Sequence, residues 1–245
     1  MKLLVEGQPL EVSAPEPSEQ TRPIDLLPVL YEVVAAVSES VAHTSASEGR
    51  PVRCGPGCGA CCRQVVPVGP AEAERLRGVV EAMPAEQQQR VRARFDDARR
   101  RLEAAGVGRA GRPEERNDAL ELRADQAEWV KLSLDYFRAQ VPCPFLVDES
   151  CSIHPQRPVA CREHLVTSDP RRCGEPKMNR VTSVGLTGRF FAALEAIDRA
   201  PGAPFEWVAL PFALGWTPRR PVPPSKGLEL LDALLAAMPF ETKRG

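Results

Sequence analysis

Apolar residues recur three or four positions apart along much of this chain, which is the spacing of one buried helix face. The first such stripe predicts a helix that begins near Ile24. It consists of Leu26, Leu27, Leu30, Val33, Val34, Val37 and Val41. The same spacing predicts a second helix over residues 70–83 and a third over residues 84–105, which Gly106 would end.

Three more helices are predicted in the C-terminal half of the chain. Asp125 and Glu128 resemble a capping box for a helix that continues to Phe137. Thr187 is a candidate cap for the next helix, and Ser225 is a candidate cap for the last one. Each of these residues precedes apolar side chains at helical spacing, so the pattern indicates a largely helical chain.

The segments between the predicted helices lack a sustained period. Residues 108–123 are charged and poor in apolar side chains, which is typical of a connector. Residues 141–175 contain prolines and cysteines between short apolar runs, and residues 207–216 predict a strand or an extended core segment. Strand–helix alternation is missing, which disfavours a parallel-sheet enzyme. The predicted fold class is mainly α, with little β structure and two irregular cysteine-rich loop segments.

The N-terminal residues differ from the rest of the chain because they are rich in Pro, Glu and Ser. Residues 2–5 and 10–12 could pair as a weak hairpin. We predict a flexible N-terminal tail over residues 1–23 and a single cysteine-cluster metal-binding domain over residues 24–245. A chain of 245 residues is long enough to bury a core of its own.

Charge and hydropathy exclude several classes of partner. The chain has 32 Lys and Arg against 33 Asp and Glu, so its net charge of −1 does not indicate binding to nucleic acid or to an anionic membrane. The arginines of the predicted helix 84–105 alternate with acidic residues, and we expect pairs such as Glu86–Arg90 and Asp96–Arg100 on a solvated face. We find no membrane span and no signal peptide, so we expect a cytoplasmic protein.

The eight cysteines are the most informative residues, because they fall into two groups and occur nowhere else. The first group lies within nine residues and contains three glycines, and the second group follows after about eighty residues. The two groups are Cys54, Cys58, Cys61 and Cys62, and then Cys143, Cys151, Cys161 and Cys173. Reduced thiols at such spacing bind metal more often than they form disulfides. We predict that the two cysteine-rich segments converge on one metal centre.

Three alternatives to metal binding remain open for the cysteines but are weaker. They are a disulfide framework, buried thiols without metal, and a Cys–His nucleophile pair. The spacing Cys54-x3-Cys58-x2-Cys61 also matches the cluster loop of radical-SAM enzymes, although the repeated strand–helix units of their barrel are missing from the pattern. Spacing alone does not choose between zinc and iron.

Three motifs in order resemble the YkgJ-like cysteine-cluster family. They are Cys54-Gly-Pro-Gly-Cys58-Gly-Ala-Cys61-Cys62-Arg63, Cys143-Pro-Phe-Leu146, and Cys151-Ser-Ile-His154-Pro155-Gln-Arg157-Pro158-Val-Ala-Cys161-Arg162-Glu163. The resemblance implies a zinc- or iron-chelating or Fe–S-cluster protein. A flagellin lysine methylase is similar to this family, which implies a redox or protein-modifying role. The chain departs from the common pattern at His154, where many members have Tyr.

Several residues beside the cysteines are secondary candidates. His154 and His164 flank Cys161 and could ligate the metal or contact a ligand. Arg157 and Arg162 would either offset thiolate charge or serve the structure. We expect the adjacent Cys61 and Cys62 to point in different directions. Cys173 follows a loop beyond the strongest motif and is the first candidate for a surplus thiol.

The sequence therefore predicts a metal-binding protein with an Fe–S cluster as the first choice of cofactor and an iron or zinc ion as the second. The alternative function is a zinc-stapled, non-catalytic interaction module with a protein partner. A radical-SAM-type enzyme is less favoured. Nucleic acid and membrane are not expected as partners.

Overall fold

The fold is built on helices and short antiparallel strand pairs. The computed structural model describes residues 2–5, 8–13, 16–107, 126–174, 181–187 and 189–244. The helices are α1 (Pro23–Ser47), α2 (Pro70–Glu81), α3 (Ala85–Ala104), α4 (Gln126–Ala139), α5 (Val159–Arg162), α6 (Phe191–Asp198) and α7 (Gly227–Ala236). The strands are β1 (Lys2–Val5), β2 (Gln8–Glu11), β3 (Pro67–Val68), β4 (Leu146–Val147), β5 (Ser150–Cys151), β6 (Val208–Ala209) and β7 (Thr242–Arg244). The predicted fold class, mainly α with little β, is confirmed.

Helical periodicity located the first three helices correctly. Helix α1 begins at Pro23, and the Asp25 carboxylate accepts a hydrogen bond of 2.8 Å from the Arg22 N–H, which closes its first turn. Helix α3 ends where predicted, because Gly106 has a φ of +78° and the Val107 N–H returns to the Leu102 carbonyl at 2.9 Å. The predicted connector 108–123 and the candidate cap Asp125 lie outside the described residues.

Two predicted helix caps are wrong, because other contacts use those residues. Helix α6 begins at Phe191, and the N–H of Phe190 before it donates to the buried Glu163 carboxylate at 2.8 Å. Thr187 lies instead beside His164. Ser225 pairs with Thr21 through two backbone hydrogen bonds of 2.9 and 3.0 Å, so helix α7 begins beyond it, at Gly227.

The small sheets connect segments that are distant in sequence. Strand β1 lies between β2 and β7, β3 pairs with β6, and β4 pairs with β5. The predicted N-terminal hairpin therefore exists, and Leu3 in β1 is fully buried. The division of the chain into a tail and a domain at residue 23 stays a prediction. The apolar run 207–216 contains β6, followed by a 3-10 helix over Leu210–Gly215.

The buried core extends to the cysteine-rich segments. Phe95 of α3 packs edge-on against Phe145, at a ring-centroid distance of 5.1 Å. Phe145 is fully buried and follows Cys143 by two residues. Helix α3 therefore packs against the segment that begins the second cysteine group. Within the described ranges, the chain has no helix both long and apolar enough to cross a membrane.

The exposed charged side chains of α3 form ion pairs with one another, although not all of these pairs are the predicted ones. Arg90 bonds to Glu86, as the sequence indicated. The predicted Asp96–Arg100 pair is wrong, because Arg100 lies 3.3 Å from Asp97 and Arg99 lies 3.5 Å from Asp96. These are i,i+3 contacts between exposed side chains, which contribute little to stability.

Candidate metal centre

The first cysteine group lies on a loop that turns twice. The Cys58 N–H donates to the Gly55 carbonyl at 3.1 Å, and Gly57 between them has a φ of +82°, which glycine adopts without strain. A 3-10 helix over Ala60–Arg63 follows, and in it the Cys62 N–H donates to the Gly59 carbonyl at 3.1 Å. The two turns bring four thiols into a short stretch of backbone.

Two cysteines of the second group lie in and beside the β4–β5 hairpin. The Leu146 N–H donates to the Cys143 carbonyl at 2.9 Å, and Leu146 then pairs with Cys151 across the hairpin. The two-residue turn consists of Asp148 and Glu149, whose φ values are +48° and +56°. Both positive values are typical of a type I′ turn, which favours Asn or Asp followed by Gly, so Glu149 is strained.

The remaining two cysteines lie on short helical segments. Cys161 belongs to α5, and Cys173 belongs to a 3-10 helix over Pro170–Gly174. The expectation that Cys173 lies on a free loop is wrong, because Cys173 is only 3% exposed. Its carbonyl also accepts a hydrogen bond of 2.7 Å from Gln64, directly beyond the first cysteine group.

Backbone and side-chain contacts join the first cysteine loop to the hairpin. The Cys143 N–H donates to the Cys62 carbonyl at 2.7 Å. The Arg63 guanidinium binds the Glu149 carboxylate through two contacts of 2.7 and 3.0 Å, and it also donates to the Gly59 carbonyl at 2.8 Å. The Gly57 N–H donates to the Ser150 hydroxyl at 3.0 Å. The two cysteine-rich segments therefore converge in space.

Gly59 lies close to side chains of the hairpin. A Cβ atom on Gly59 would lie 2.4 Å from the Glu149 carboxylate and 2.9 Å from the Leu146 side chain. A Cβ atom on Gly55, four residues earlier, would have no neighbour within 4 Å. A side chain at residue 59 would therefore displace the ends of the Glu149 and Leu146 side chains.

Cys54 and Cys173 both contact His164, Cys54 at its main-chain carbonyl and Cys173 at its ring. The Val166 N–H donates to the Cys54 sulfur at 3.3 Å, and the Cys54 Sγ lies 4.0 Å from the His164 carbonyl. The Cys173 Sγ lies 3.9 Å from His164 Nε2. His164 is half-buried, and burial lowers its pKa, which favours the neutral imidazole. The other candidate histidine, His154, is exposed.

The close packing of the thiols raises their pKa values. At Cys61 the hydrogen bond shared with Cys62 is the largest cause that raises the pKa, and burial adds to it. Burial, followed by the charges of other cysteines, raises the pKa of Cys143 and of Cys173 to about 12 each. Burial also raises the pKa of Cys161.

The electrostatic contacts connect the cysteines through Cys61. The charge of Cys61 raises the pKa of two sets of thiols. One set lies on the first loop and on the 3-10 helix over residues 170–174, and the other lies on the hairpin and on α5. The first set is Cys54 and Cys173, to which Cys58 is also close. The second set is Cys143, Cys151 and Cys161. The charge of Cys61 therefore raises the pKa of thiols in both cysteine groups.

The structure separates the roles of the two arginines that the sequence left open. Arg157 opposes the effect of burial on the pKa of nearby thiols, and its Nε is buried with no hydrogen-bond partner. Arg162 instead donates to the Arg157 and Pro155 carbonyls and stacks on Tyr31, with 4.0 Å from its Cζ to the ring centroid. Arg157 is thus the cation that faces the thiols, and Arg162 shapes the loop.

The sequence did not single out Glu72, although its carboxylate binds the first residue of α5, the helix that carries Cys161. Its carboxylate is fully buried and accepts hydrogen bonds from the Tyr31 hydroxyl at 2.9 Å and from the Val159 N–H at 2.7 Å. Glu72 lies in the first turn of an amphipathic helix, where an acidic residue is usually exposed. Its position on the apolar face of α2, between Ala71 and Ala73, was the available signal.

The donor set fits a metal that prefers sulfur. Among the described residues, no three His, Cys, Asp or Glu side chains already stand in a metal-binding arrangement. The two cysteine-rich segments nevertheless meet here, beside the half-buried imidazole of His164, and such soft donors suit zinc, iron or an Fe–S cluster. The Val166 N–H also donates to the Cys54 sulfur at 3.3 Å, and backbone hydrogen bonding by Phe145 and Ile153 lowers the pKa of Cys143 and Cys151, respectively. Such N–H···S contacts stabilise thiolate charge.

This fold and donor set define a cysteine-rich, metal-chelating class of protein. The CxxCxxCC family, described as "Putative zinc- or iron-chelating domain", matches residues 53–181. The match covers more than half of the 245 residues and includes all eight cysteines, and the chain belongs to this family. The resemblance to the YkgJ-like cysteine-cluster family is confirmed. Comparison with curated proteins and with solved structures gave no match.

Proposed function

We propose that this protein holds iron or zinc through cysteines of both segments, with an Fe–S cluster as the first choice and a redox or protein-modifying role. The single observation that carries the proposal is the direct contact between the two cysteine groups. The N–H of Cys143, in the second group, donates to the carbonyl of Cys62, in the first group, at 2.7 Å. The proposal places the protein in the reducing cytoplasm, where thiols remain available to metal.

The electrostatics of the site support a bound cation. Cysteines packed this closely hold their protons because neighbouring thiolates would repel one another, and burial together with this repulsion raises the pKa of Cys143 to about 12. A metal cation removes that repulsion and displaces the protons when it binds. Arg157 would then offset part of the negative charge that four thiolates bring to one centre.

Iron–sulfur chemistry is favoured by the contacts to sulfur. The Val166 N–H donates to the Cys54 sulfur at 3.3 Å, and hydrogen bonds of this kind tune the reduction potential of Fe–S clusters. Phe145 is fully buried beside Cys143 and limits the access of water to that side of the site. A cluster bound here would carry the electron transfer, and the protein would position and shield it.

A zinc-stapled interaction module is the second candidate, and the connectivity of the site favours it. The cysteine segments are joined by short hydrogen bonds, such as the 2.7 Å contact from the Cys143 N–H to the Cys62 carbonyl. A zinc ion between such segments would fix their relative position without any reaction. The described residues form short antiparallel strand pairs rather than repeated strand–helix units, so we do not propose a radical-SAM enzyme.

Purification without oxygen, followed by metal and acid-labile sulfide analysis, tests the proposal. A brown protein that contains iron and sulfide supports the Fe–S cluster. A colourless protein that contains stoichiometric zinc supports the interaction module. A correctly folded protein that contains neither metal would overturn both candidates.

A further inference from the structure

We infer that Arg75, Gln156 and Arg162 form a binding site for a small oxyanion, separate from the cysteines. The ligand class is a small molecule that carries two or more negative charges on phosphate or carboxylate groups. This inference goes beyond the proposed function, because it assigns a ligand other than the metal. Its basis is a set of ring contacts and hydrogen bonds that involve no thiol.

The two arginines come together over the ring of Tyr31. Helix α2 supplies Arg75, and α5 supplies Arg162. The Arg162 Cζ lies 4.0 Å from the centroid of this ring, and the Arg75 Cζ lies 5.7 Å from it, so the two guanidinium groups are within about 10 Å of each other. A ligand with two anionic groups can contact both guanidinium groups at once.

Hydrogen bonds fix both arginines against the same short loop. Arg162 donates to the Arg157 carbonyl at 2.8 Å and to the Pro155 carbonyl at 2.6 Å. Arg75 donates to the side-chain oxygen of Gln156. Because a guanidinium group only donates, the oxygen of the Gln156 amide faces Arg75 and its NH2 group is directed elsewhere. The three side chains therefore form one connected group of hydrogen-bond donors.

Several donors of this group have no acceptor within the protein. The Nε of Arg75 is buried without a hydrogen-bond partner. A guanidinium group has five N–H donors, and the two carbonyl contacts of Arg162 leave most of them unused. Among the residues that the structure describes, no carboxylate forms an ion pair with Arg75 or Arg162. An oxyanion would accept from donors that are already held in place.

The positive charges of the site also repel one another. Burial lowers the pKa of Arg162, and the charges of Arg157 and Arg75 add to this effect. The charge of Glu72 opposes it, but the Glu72 carboxylate binds the Tyr31 hydroxyl at 2.9 Å rather than a guanidinium group. A bound oxyanion would relieve the repulsion between these cations.

The site adjoins the metal-binding segment. Arg162 follows Cys161 directly, and Gln156 ends a 3-10 helix that lies between Cys151 and Cys161 in sequence. Arg75 and Arg162 are both partly exposed, so a ligand can reach them from solvent. An anionic substrate held here would lie beside the proposed metal centre.

Isothermal titration calorimetry with pyrophosphate and with citrate, at constant ionic strength, tests the inference. We expect at least one of the two to bind the metal-loaded protein with a Kd below about 1 mM. Tighter binding of pyrophosphate identifies a phosphate-bearing ligand, and tighter binding of citrate identifies a polycarboxylate. A folded protein that binds neither overturns the inference.

Two variants test whether binding occurs at this site. Gln156→Glu places a carboxylate against Arg75, so it should abolish binding without lowering the melting temperature. Arg75→Gln should weaken binding about 10-fold. Arg92→Gln is the matched control, because Arg92 is exposed on α3 and the substitution removes the same charge. Equal weakening in Arg75→Gln and Arg92→Gln, or full binding by Gln156→Glu, overturns the assigned site.

His154 gives an independent readout of the same event. The charge of Arg157, followed by burial and by the charge of Arg162, lowers the pKa of His154. A bound oxyanion offsets these charges, so saturating pyrophosphate or citrate should raise the pKa of His154, as followed by its ring-proton NMR signal. His154→Gln assigns that signal. A ligand that binds and leaves this pKa unchanged is bound elsewhere, which overturns the inference.

Metal analysis of the same samples separates this inference from the proposed function. A metal-loaded protein that binds neither oxyanion overturns the inference alone. A protein without metal that binds an oxyanion through Arg75 overturns the proposed function alone.

Discussion

The Glu72 carboxylate accepts a hydrogen bond of 2.7 Å from the Val159 N–H, the first residue of the helix that carries Cys161. The same carboxylate oxygen accepts a bond of 2.9 Å from the Tyr31 hydroxyl, and the other oxygen is buried without a partner. Helices α1 and α2 therefore hold one end of the metal-binding segment through a single acid. Glu72 is fully buried, so its carboxyl group holds its proton to a higher pH than an exposed one would. The contact is therefore sensitive to pH.

We predict that Glu72 makes stability fall as the pH rises from about 4.5 to about 7. Burial raises the pKa of Glu72 from 4.5 to about 7, although its hydrogen bonds from Val159 and Tyr31 oppose the shift. In this window the native state keeps a proton that the unfolded chain releases, so each increase in pH favours unfolding. The loss is on the order of 3 kcal/mol.

Glu72→Gln should flatten this slope, as measured by urea unfolding at about pH 5 and about pH 7.5. Burial also raises the pKa of Asp198, and the charge of Glu72 adds to that shift, so Asp198→Asn is measured in both backgrounds to separate the two carboxyl groups. Equal slopes in the wild type and Glu72→Gln would show that Glu72 ionises normally in the folded protein.

Gly59→Ala should weaken the junction between the first cysteine loop and the hairpin. The new Cβ atom would lie 2.4 Å from the Glu149 carboxylate and 2.9 Å from Leu146, so both side-chain ends must move and the Arg63–Glu149 ion pair is disturbed, at a cost of about 0–1 kcal/mol. Gly55→Ala is the control, because a Cβ atom there has no neighbour within 4 Å. Chemical unfolding of both variants tests this, and similar losses in the two would contradict the assigned contact.

Glu149→Gly should change stability little but loosen the metal site. The substitution creates the Asp-Gly turn that a two-residue hairpin prefers, and relief of the positive φ at residue 149 is worth about 1 kcal/mol. Loss of the half-exposed ion pair with Arg63 offsets about 0–1 kcal/mol of that gain. Metal release to a chelator should become faster than in the wild type.

Glu149→Gln serves as the comparison, because it keeps the strained backbone and removes only the charge. It should be less stable than Glu149→Gly. If Glu149→Gly releases metal at the wild-type rate, the Arg63–Glu149 contact does not hold the hairpin against the first loop.

Arg157→Gln should lower zinc affinity several-fold, because a zinc ion with four thiolates carries net negative charge that the guanidinium offsets. Arg157 acts on the thiols of Cys151 and Cys161, and its buried Nε has no partner within the protein. Arg157→Lys keeps the charge and should retain more of the affinity. Competition with a coloured chelator measures both variants, and equal losses would indicate that the residue acts through shape rather than charge.

Helix positions and the convergence of the cysteines were predictable from the sequence, because each depends on a local pattern. The stripe from Leu26 to Val41 identified α1, and the clustering of thiols indicated one metal-binding region. The caps at Thr187 and Ser225 were wrong because tertiary contacts with His164 and Thr21 use those residues. Such contacts join residues far apart in sequence, and no local pattern encodes them.

The internal arrangement of the site also could not be predicted from the sequence. Cys173 follows the motif by a loop-like segment, yet the Gln64 side chain binds its carbonyl and His164 contacts its sulfur. Glu72 is ordinary as a sequence position, because its importance comes from Val159 on another helix. Both cases depend on which segments meet in three dimensions rather than on residue type.

Mass-spectrometric mapping of cysteine alkylation, before and after metal removal, tests the central claim that both cysteine groups bind metal in one region. The metal-loaded protein should protect Cys54, Cys58 and Cys173 together with Cys61, Cys143, Cys151 and Cys161, and chelation should expose all of them. Protection confined to one cysteine group, or protection that chelation leaves unchanged, would contradict the account.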